Sequence, residues 1–167
     1  MSRFTRRTTP LAAIAFGALG LALGATPASA RTTTLHFFQK ETTDTFSGPD
    51  GKPIPPPTST TPPAAGDRFV TTDDDYAGNH KHHAAKATAT DHLVCTFTND
   101  LGQATCDGQI AIGGSMLLAE NVSVDFAKTS GVPLNGGTGV YKHAHGATTS
   151  VGIANTSNSD FTIRFTT

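Results

Sequence analysis

The sequence predicts an all-β protein, one small domain closed into a barrel or a sandwich, on three observations. Short runs of β-branched and aromatic residues recur along the chain and are separated by Gly, Asn and Asp. No long segment after residue 30 carries apolar residues at helical spacing. An open sheet of many strands with no helix to cover it would leave an apolar face in water, so we expect the sheet to close.

Eight segments have the composition of β-strands. The segment from residue 82 to 90 is the most ambiguous, because its alanines and lysines are also compatible with a helix. We interpret it as a strand, since Ala85, Ala87 and Ala89 alternate with larger polar residues and would form one small inward face. The predicted strands are Thr33–Thr42, Asp67–Thr72, His82–Thr90, His92–Thr98, Ala104–Ile112, Asn121–Ala127, Val140–Thr149 and Asp160–Thr166.

The first thirty residues have the parts of a secretory signal peptide. Three arginines lie within the first seven residues, and an apolar run covers residues 11–23. That run is shorter than the roughly 18 residues of a membrane-spanning helix. The small residues Ala28 and Ala30 match the site that signal peptidase cleaves. We therefore expect a signal peptide over residues 1–30 and a secreted protein with a single domain over residues 31–167.

The charge of the secreted chain excludes several kinds of partner. Cleavage would remove three of the 12 basic residues and none of the 13 acidic residues, which leaves an acidic protein. An acidic surface does not attract nucleic acid, and no second apolar stretch is long enough to span a membrane. The sequence also lacks a nucleophile-elbow motif and a glycine-rich phosphate loop before a helix. We expect no bound cofactor, and a homo-oligomer is compatible with this composition.

The two cysteines are predicted to form a disulfide. Cys95 and Cys106 flank the turn-forming sequence Asn99-Asp100-Leu101-Gly102. Antiparallel pairing about that turn would bring the two sulfur atoms together, and an exported protein folds under oxidising conditions. A reactive or metal-binding thiol is disfavoured, because neither cysteine belongs to a C-x-x-C pair.

A proline-rich loop is predicted over residues 48–66. Seven prolines fall between Pro49 and Pro63. Proline cannot donate a hydrogen bond to a sheet, so this segment is expected to be a long surface loop with polyproline II character between two strands.

The segment from Gly136 to Gly146, GGTGVYKHAHG, resembles the GGTGxYxxAxG motif shared by plant dirigent proteins and bacterial proteins with an allene oxide cyclase-like barrel. Segments 66–76, 95–97, 106–110 and 160–165 resemble further parts of these proteins in the same order, so the resemblance covers nearly all of the mature chain. It implies an eight-stranded antiparallel barrel with a cavity that opens at one end.

The resemblance also implies a function and a set of candidate residues. Such barrels include cyclases that act on unstable hydrophobic intermediates and dirigent proteins that orient radicals for stereoselective coupling. This chain is therefore expected to bind a small hydrophobic metabolite and to guide its cyclisation, isomerisation or coupling by holding one conformer beside a carboxylate. Dirigent proteins carry a functional acid in the turn that residues 73–75 resemble, although three consecutive acids are also typical of a solvated turn. The candidates are Asp73, Asp74, Asp75 and Glu120 for catalysis, and Tyr76, Asn121 and Tyr141 for ligand binding.

Two other functions remain open at this point. One is a non-catalytic extracellular barrel that binds a ligand without transforming it. The other is a metal-binding module, because His80 with His82, and His143 with His145, would each point to one face of a strand and could supply imidazole ligands. The alternative for these histidines is that they are exposed polar residues at strand ends, since their spacing matches no catalytic zinc motif.

Overall fold

The computed structural model describes residues 31–58, 60–129 and 131–167, and most of them lie in one antiparallel sheet. The predicted signal peptide lies outside the described residues. No helix of the described residues is long and apolar enough to cross a membrane. The strands are β1 (Thr32–Ser47), β2 (Arg68–Asn79), β3 (His82–His83), β4 (Ala89–Phe97), β5 (Gln103–Ile112), β6 (Ser115–Asp125), β7 (Pro133–Leu134), β8 (Gly136–Gly137), β9 (His145–Gly152) and β10 (Ser159–Thr166).

The sheet curves into a nearly closed barrel, which confirms the predicted all-β barrel. The seven long strands are hydrogen-bonded in the order β9, β10, β1, β2, β4, β5, β6. The short segment from Pro133 to Gly137 joins the two ends of this series. Its first half, β7, pairs with β9, and its second half, β8, pairs with β6. This segment therefore occupies the eighth position of the barrel.

The barrel closes at two glycines of the GGTGxYxxAxG motif. A Cβ atom at Gly137 would overlap the carbonyl oxygen of Tyr141, and one at Gly146 would overlap the carbonyl oxygen of Arg164. Only glycine allows the backbones to approach this closely. Gly139 has a φ of 56° and begins a single 3-10 turn, Gly139–Tyr141. The motif is thus the place where the chain turns tightly and completes the sheet.

Burial along the strands alternates with the apolar and polar residues of the sequence. On β10, Phe161, Ile163 and Phe165 are buried, and the residues between them face outward. Cys95 and Cys106 are fully buried, occupy paired positions on β4 and β5, and form a disulfide, as predicted.

Several strand boundaries differ from the prediction, and among them the ends of β1 and β2 extend to Ser47 and Asn79. The segment predicted as His82–Thr90 contributes β3 and the first two residues of β4. Residues 84–88 between them are outside any strand, because five residues here lie opposite only two residues of β2. Strand β9 begins at His145, after the 3-10 turn, and not at Val140. Strand β6 begins at Ser115, well before Asn121.

The proline-rich segment forms the loop between β1 and β2, as expected. Its ends are held by backbone hydrogen bonds, from Ile54 N–H to the Phe46 carbonyl (3.0 Å) and from Gly66 N–H to the Phe97 carbonyl (2.8 Å). The loop is therefore anchored to the end of the barrel where β1 finishes and β2 begins.

Candidate functional site

A cavity of about 350 Å³ lies inside the barrel. Its wall is largely apolar, with aromatic and aliphatic side chains from most strands, and this volume suits a small organic ligand. Polar side chains lie along one part of the wall. The apolar part includes Phe69, Leu93, Ile110, Val132, Leu134 and Phe161, and the polar part includes Gln39, Glu41, Asp44, Thr71, Asp73, Asp91, Thr148, Ser150 and Ser159.

Two aspartates in the cavity wall form a carboxyl pair. Asp73 of β2 and Asp91 of β4 occupy paired positions of the sheet, and a hydrogen bond joins their side chains. Burial, followed by repulsion from Asp75 and Asp73, raises the pKa of Asp91 to about 9. Burial also raises the pKa of Asp73, whose Oδ2 accepts a hydrogen bond from Thr71 Oγ1 (3.1 Å). At neutral pH Asp91 therefore keeps its proton and donates it to the side chain of Asp73.

A chain of hydrogen bonds across three further strands orients Asp91. Ser150 Oγ on β9 donates to Ser159 Oγ on β10 (2.7 Å), and Ser159 Oγ donates to Gln39 Oε1 on β1 (2.7 Å). Gln39 Nε2 then donates to Asp91 Oδ2 (2.6 Å). The other oxygen, Oδ1, is buried and accepts no hydrogen bond from an N–H or hydroxyl group of the described residues. Because Oδ2 is held by the glutamine, Oδ1 is the oxygen free to carry the proton.

Asp75 lies two residues further along β2, on the same inward face as Asp73. Its side chain is 0% exposed, and neither carboxyl oxygen has a hydrogen-bond partner among the described residues. Burial, then repulsion from Asp73 and Asp74, raises the pKa of Asp75 to about 7. Asp75 does not line the cavity, so its effect on the site is electrostatic: its negative charge raises the pKa of Asp91.

A β-bulge brings two further acids to the wall of the cavity. The pairing of β1 with β2 shifts between Glu41 and Thr43, so that both Glu41 and Asp44 line the cavity. Burial, followed by repulsion from neighbouring acids, raises the pKa of both side chains. None of the described residues that line the cavity is a lysine or an arginine. The wall therefore disfavours an anionic ligand when its acids are ionised.

The structure separates the three consecutive acids that the sequence singled out. Asp73 and Asp75 are buried on the inward face, and Asp73 lines the cavity. Asp74 is half-buried and points to the outer face, because successive residues of a strand alternate in direction. The segment is thus part of a strand and not a solvated turn.

The other candidate residues do not line this cavity. Glu120 and Asn121 are exposed at a bulge of β6, where Asn121 has a φ of 50° and its N–H donates to Asp107 Oδ1 (2.8 Å). Tyr76 faces outward and packs against an outer aromatic pair on β1 and β3. Tyr141 is half-buried, with its ring edge-on to Phe165 of the core.

The two histidine tracts are held apart by β10. His80 contacts Asp160, at the start of β10, with 2.6 Å between Nδ1 and Oδ2. His145 pairs with Thr166, six residues later on the same strand, or about 20 Å away. His82 and His143 are exposed. Among the residues described, no group of three or more His, Cys, Asp or Glu side chains is arranged to hold a metal ion.

Sequence reasoning missed Asp91, Gln39 and Ser159. A signal for Asp91 was present, since it continues the every-second-residue series of Leu93 and Cys95 toward the inside of the barrel. Gln39 continues the same kind of series on β1. A polar residue on the apolar face of a predicted strand is therefore the pattern that would have found them.

Comparison with known proteins agrees with the fold. No family model matches the chain, and no curated protein sequence matches it. Among solved structures, it is similar to a pyocyanin demethylase, with 20% sequence identity and a TM-score of 0.58. The match covers 80% of this chain and 99% of that one. This likeness extends over the whole of that protein and concerns the barrel fold.

Proposed function

We propose that this protein binds a small, largely apolar molecule in the barrel cavity and catalyses a proton-transfer step, an isomerisation or cyclisation, with Asp91 as general acid. The observation that carries the proposal is the pair of buried carboxyl groups, Asp73 and Asp91, side by side in a largely apolar cavity wall. A carboxylic acid that keeps its proton at neutral pH can donate it to a ligand oxygen or nitrogen.

The pair is suited to a tautomerisation that leaves the enzyme unchanged. When the ligand binds, the Asp91 proton turns from Asp73 to the carbonyl oxygen of a β,γ-unsaturated ketone and is transferred to it. The Asp73 carboxylate, released from that hydrogen bond, removes a proton from the carbon between the carbonyl and the double bond. The resulting dienol accepts the Asp73 proton at its far carbon and returns the oxygen-bound proton to Asp91. The ligand is then the conjugated isomer, and the pair again holds one proton.

The apolar wall supports this step in two ways. It lowers the polarity around the pair, where the charge that develops is stabilised by the fixed Gln39–Ser159–Ser150 chain. It also restricts a flexible ligand to few conformers, which lowers the entropic barrier of a cyclisation. The resemblance of residues 136–146 to the dirigent and allene oxide cyclase-like motif is further support, as is the likeness to a barrel named as an enzyme.

The test uses a β,γ-unsaturated cyclohexenone, whose conversion to the conjugated isomer is followed by ultraviolet absorbance. Asp91→Asn keeps the shape of the side chain but has no acidic proton, and we expect it to lower the protein-dependent rate by about a hundredfold or more. Asp73→Asn should have a similar effect. Glu120→Gln, on the outer face, is the matched control and should keep the wild-type rate.

A non-catalytic binding barrel is the second candidate, favoured by the acids Glu41 and Asp44 beside the cavity and by the absence of Lys and Arg among the described lining residues. This arrangement fits a neutral or cationic ligand. Wild-type protein that binds the cyclohexenone without accelerating its isomerisation would support binding alone and would contradict the catalytic proposal.

We also propose that the protein acts after export, supported by the buried disulfide and the signal-peptide pattern. Intact-mass analysis of secreted protein should give a chain that begins at Arg31. A product that keeps residues before Pro27 would contradict this proposal.

A further inference from the structure

A second cavity, of about 560 Å³, lies at the end of the barrel beneath the proline-rich loop. We call it the vestibule. Four phenylalanines line it, from β1, β2, β4 and the segment after β6, and three loop prolines complete the wall. Its main side chains are Phe46, Phe69, Phe97, Phe126, Leu101 and Pro62.

The vestibule is built before any ligand arrives. Phe46 and Phe69 stack with their centroids 4.8 Å apart, and Phe97 and Phe126 lie tilted at 6.0 Å. The loop is tied to the barrel by the buried Asp67, whose Oδ2 accepts from the Ala64 N–H (2.7 Å). The Asp67 carbonyl in turn accepts from the Phe97 N–H (2.8 Å). A preformed aromatic wall lowers the entropic cost of binding.

The vestibule and the acidic cavity adjoin each other and differ in chemistry. Phe69 and Phe126 line both spaces, so they form the boundary between them. The carboxyl pair and its hydrogen-bond chain lie on the inner side of this boundary. The outer side is lined chiefly by aromatic rings and prolines, and Leu101 at its rim is 69% exposed.

We propose that the vestibule is a subsite for an aryl group, and that the ligand of the barrel is elongated, with a hydrogen-bond acceptor at Asp91 and an aromatic ring among the phenylalanines. Phe69 is four residues from Asp73 on β2, and Phe97 is six residues from Asp91 on β4. At about 3.3 Å per residue, these separations set a ligand length of about 13–20 Å. The inference rests on the proposed function, because it takes the acceptor site at Asp91 as given.

Calorimetric titration with three methyl ketones tests the subsite. The first carries a phenyl ring on a two-carbon spacer and is too short to reach the vestibule. The second carries the ring on an eight-carbon spacer, and the third has that chain without a ring. We expect the long phenyl ketone to bind about two- to tenfold more tightly than the ringless chain, the gain of one added aromatic contact.

Two variants of the vestibule should abolish that gain. Phe46→Ala removes one ring of the stacked pair, and Ala127→Trp fills the space from an exposed position of its wall without removing a core residue. Phe38→Ala is the matched control, because Phe38 is also a half-buried, ring-stacked phenylalanine of β1 but lies on the outer face. Thermal unfolding of each variant verifies that the protein is folded.

The outcomes separate this inference from the proposed function. If Asp91→Asn weakens the binding of all three ketones, but the ring does not increase the affinity of the long ketone, the aryl subsite is refuted and the acidic site stands. If the ring still increases the affinity in both Phe46→Ala and Ala127→Trp, the subsite is also refuted. If no ketone binds to the wild-type protein, the proposed function fails and the inference fails with it.

Discussion

Replacing Asp75 by asparagine should remove a large pH-dependent loss of stability. Asp75 is 0% exposed and its carboxyl oxygens have no hydrogen-bond partner among the described residues, so its ionised form is strongly disfavoured in the folded protein. Its pKa is about 7 in the folded state, against 3.8 for an ordinary aspartate. Asparagine has nearly the same shape and carries no charge at any pH.

The sign and size of the effect follow from proton linkage. Below pH 3.8 the carboxyl is protonated in both the folded and the unfolded chain, and it does not oppose folding. Between pH 3.8 and about 7 only the unfolded chain releases the proton, so the free energy of unfolding falls as the pH rises. At about 1.36 kcal/mol per pH unit, the wild-type protein loses roughly 4 kcal/mol of stability across this range, and the loss levels off above pH 7.

Denaturant unfolding of the wild-type protein and of Asp75→Asn at intervals from pH 4 to pH 8 measures this loss. We expect the stability advantage of the variant over wild type to grow by roughly 4 kcal/mol between these limits. Asp100→Asn, at an exposed position outside the acid cluster, should keep the wild-type pH dependence. If Asp75→Asn and wild type differ by the same amount at every pH, the buried carboxyl does not titrate as the structure implies.

Three further predictions concern the disulfide, the barrel closure and the catalytic pair. Combining Cys95→Ala with Cys106→Ala should lower the free energy of unfolding by about 3 kcal/mol, measured by denaturant titration, because the unfolded chain loses a covalent restraint. Gly146→Ala should destabilise the protein by roughly 1–3 kcal/mol in the same assay, since the added methyl group would overlap a carbonyl oxygen of the neighbouring strand. The rate of ketone isomerisation should fall as the pH rises through about 9, where Asp91 loses its proton.

Each of these has a result that would contradict it. Equal unfolding curves for the double cysteine variant and oxidised wild type would show that the cross-link does not stabilise the fold. Gly152→Ala is the control for Gly146→Ala, because its Cβ would meet no atom within 4 Å. Equal losses of stability in the two glycine variants would refute the steric argument. An isomerisation rate that stays constant up to pH 10 would exclude Asp91 as the acid.

Local patterns of the sequence were sufficient for the fold class and the disulfide. Alternation of apolar and polar residues is visible within a single strand, as on β10. The cysteine pair could be predicted because only one tight turn separates the two strands, so the register of β4 and β5 follows from the chain itself. The glycine motif likewise marked the place where the barrel closes.

Boundaries that depend on distant contacts could not be predicted in the same way. Residues 84–88 alternate like a strand, but only Tyr76 and Ala77 of β2 lie opposite these five residues, so the segment bulges out as a loop. Strand β1 continues past Thr42 because a bulge restores its pairing with β2. Neither fact is contained in the local composition of these segments.

By itself, the sequence determined an all-β barrel, its disulfide, its long proline-rich loop and a run of acids that were candidates for catalysis. Only the tertiary structure decided which acids meet. Asp73, Asp91 and Gln39 lie on three strands that are distant in sequence, and the register of β1, β2 and β4 places them side by side. The same folding removes the carboxyl groups of Asp73 and Asp91 from water, and this desolvation, which no residue pattern encodes, gives Asp91 a pKa suited to donating a proton.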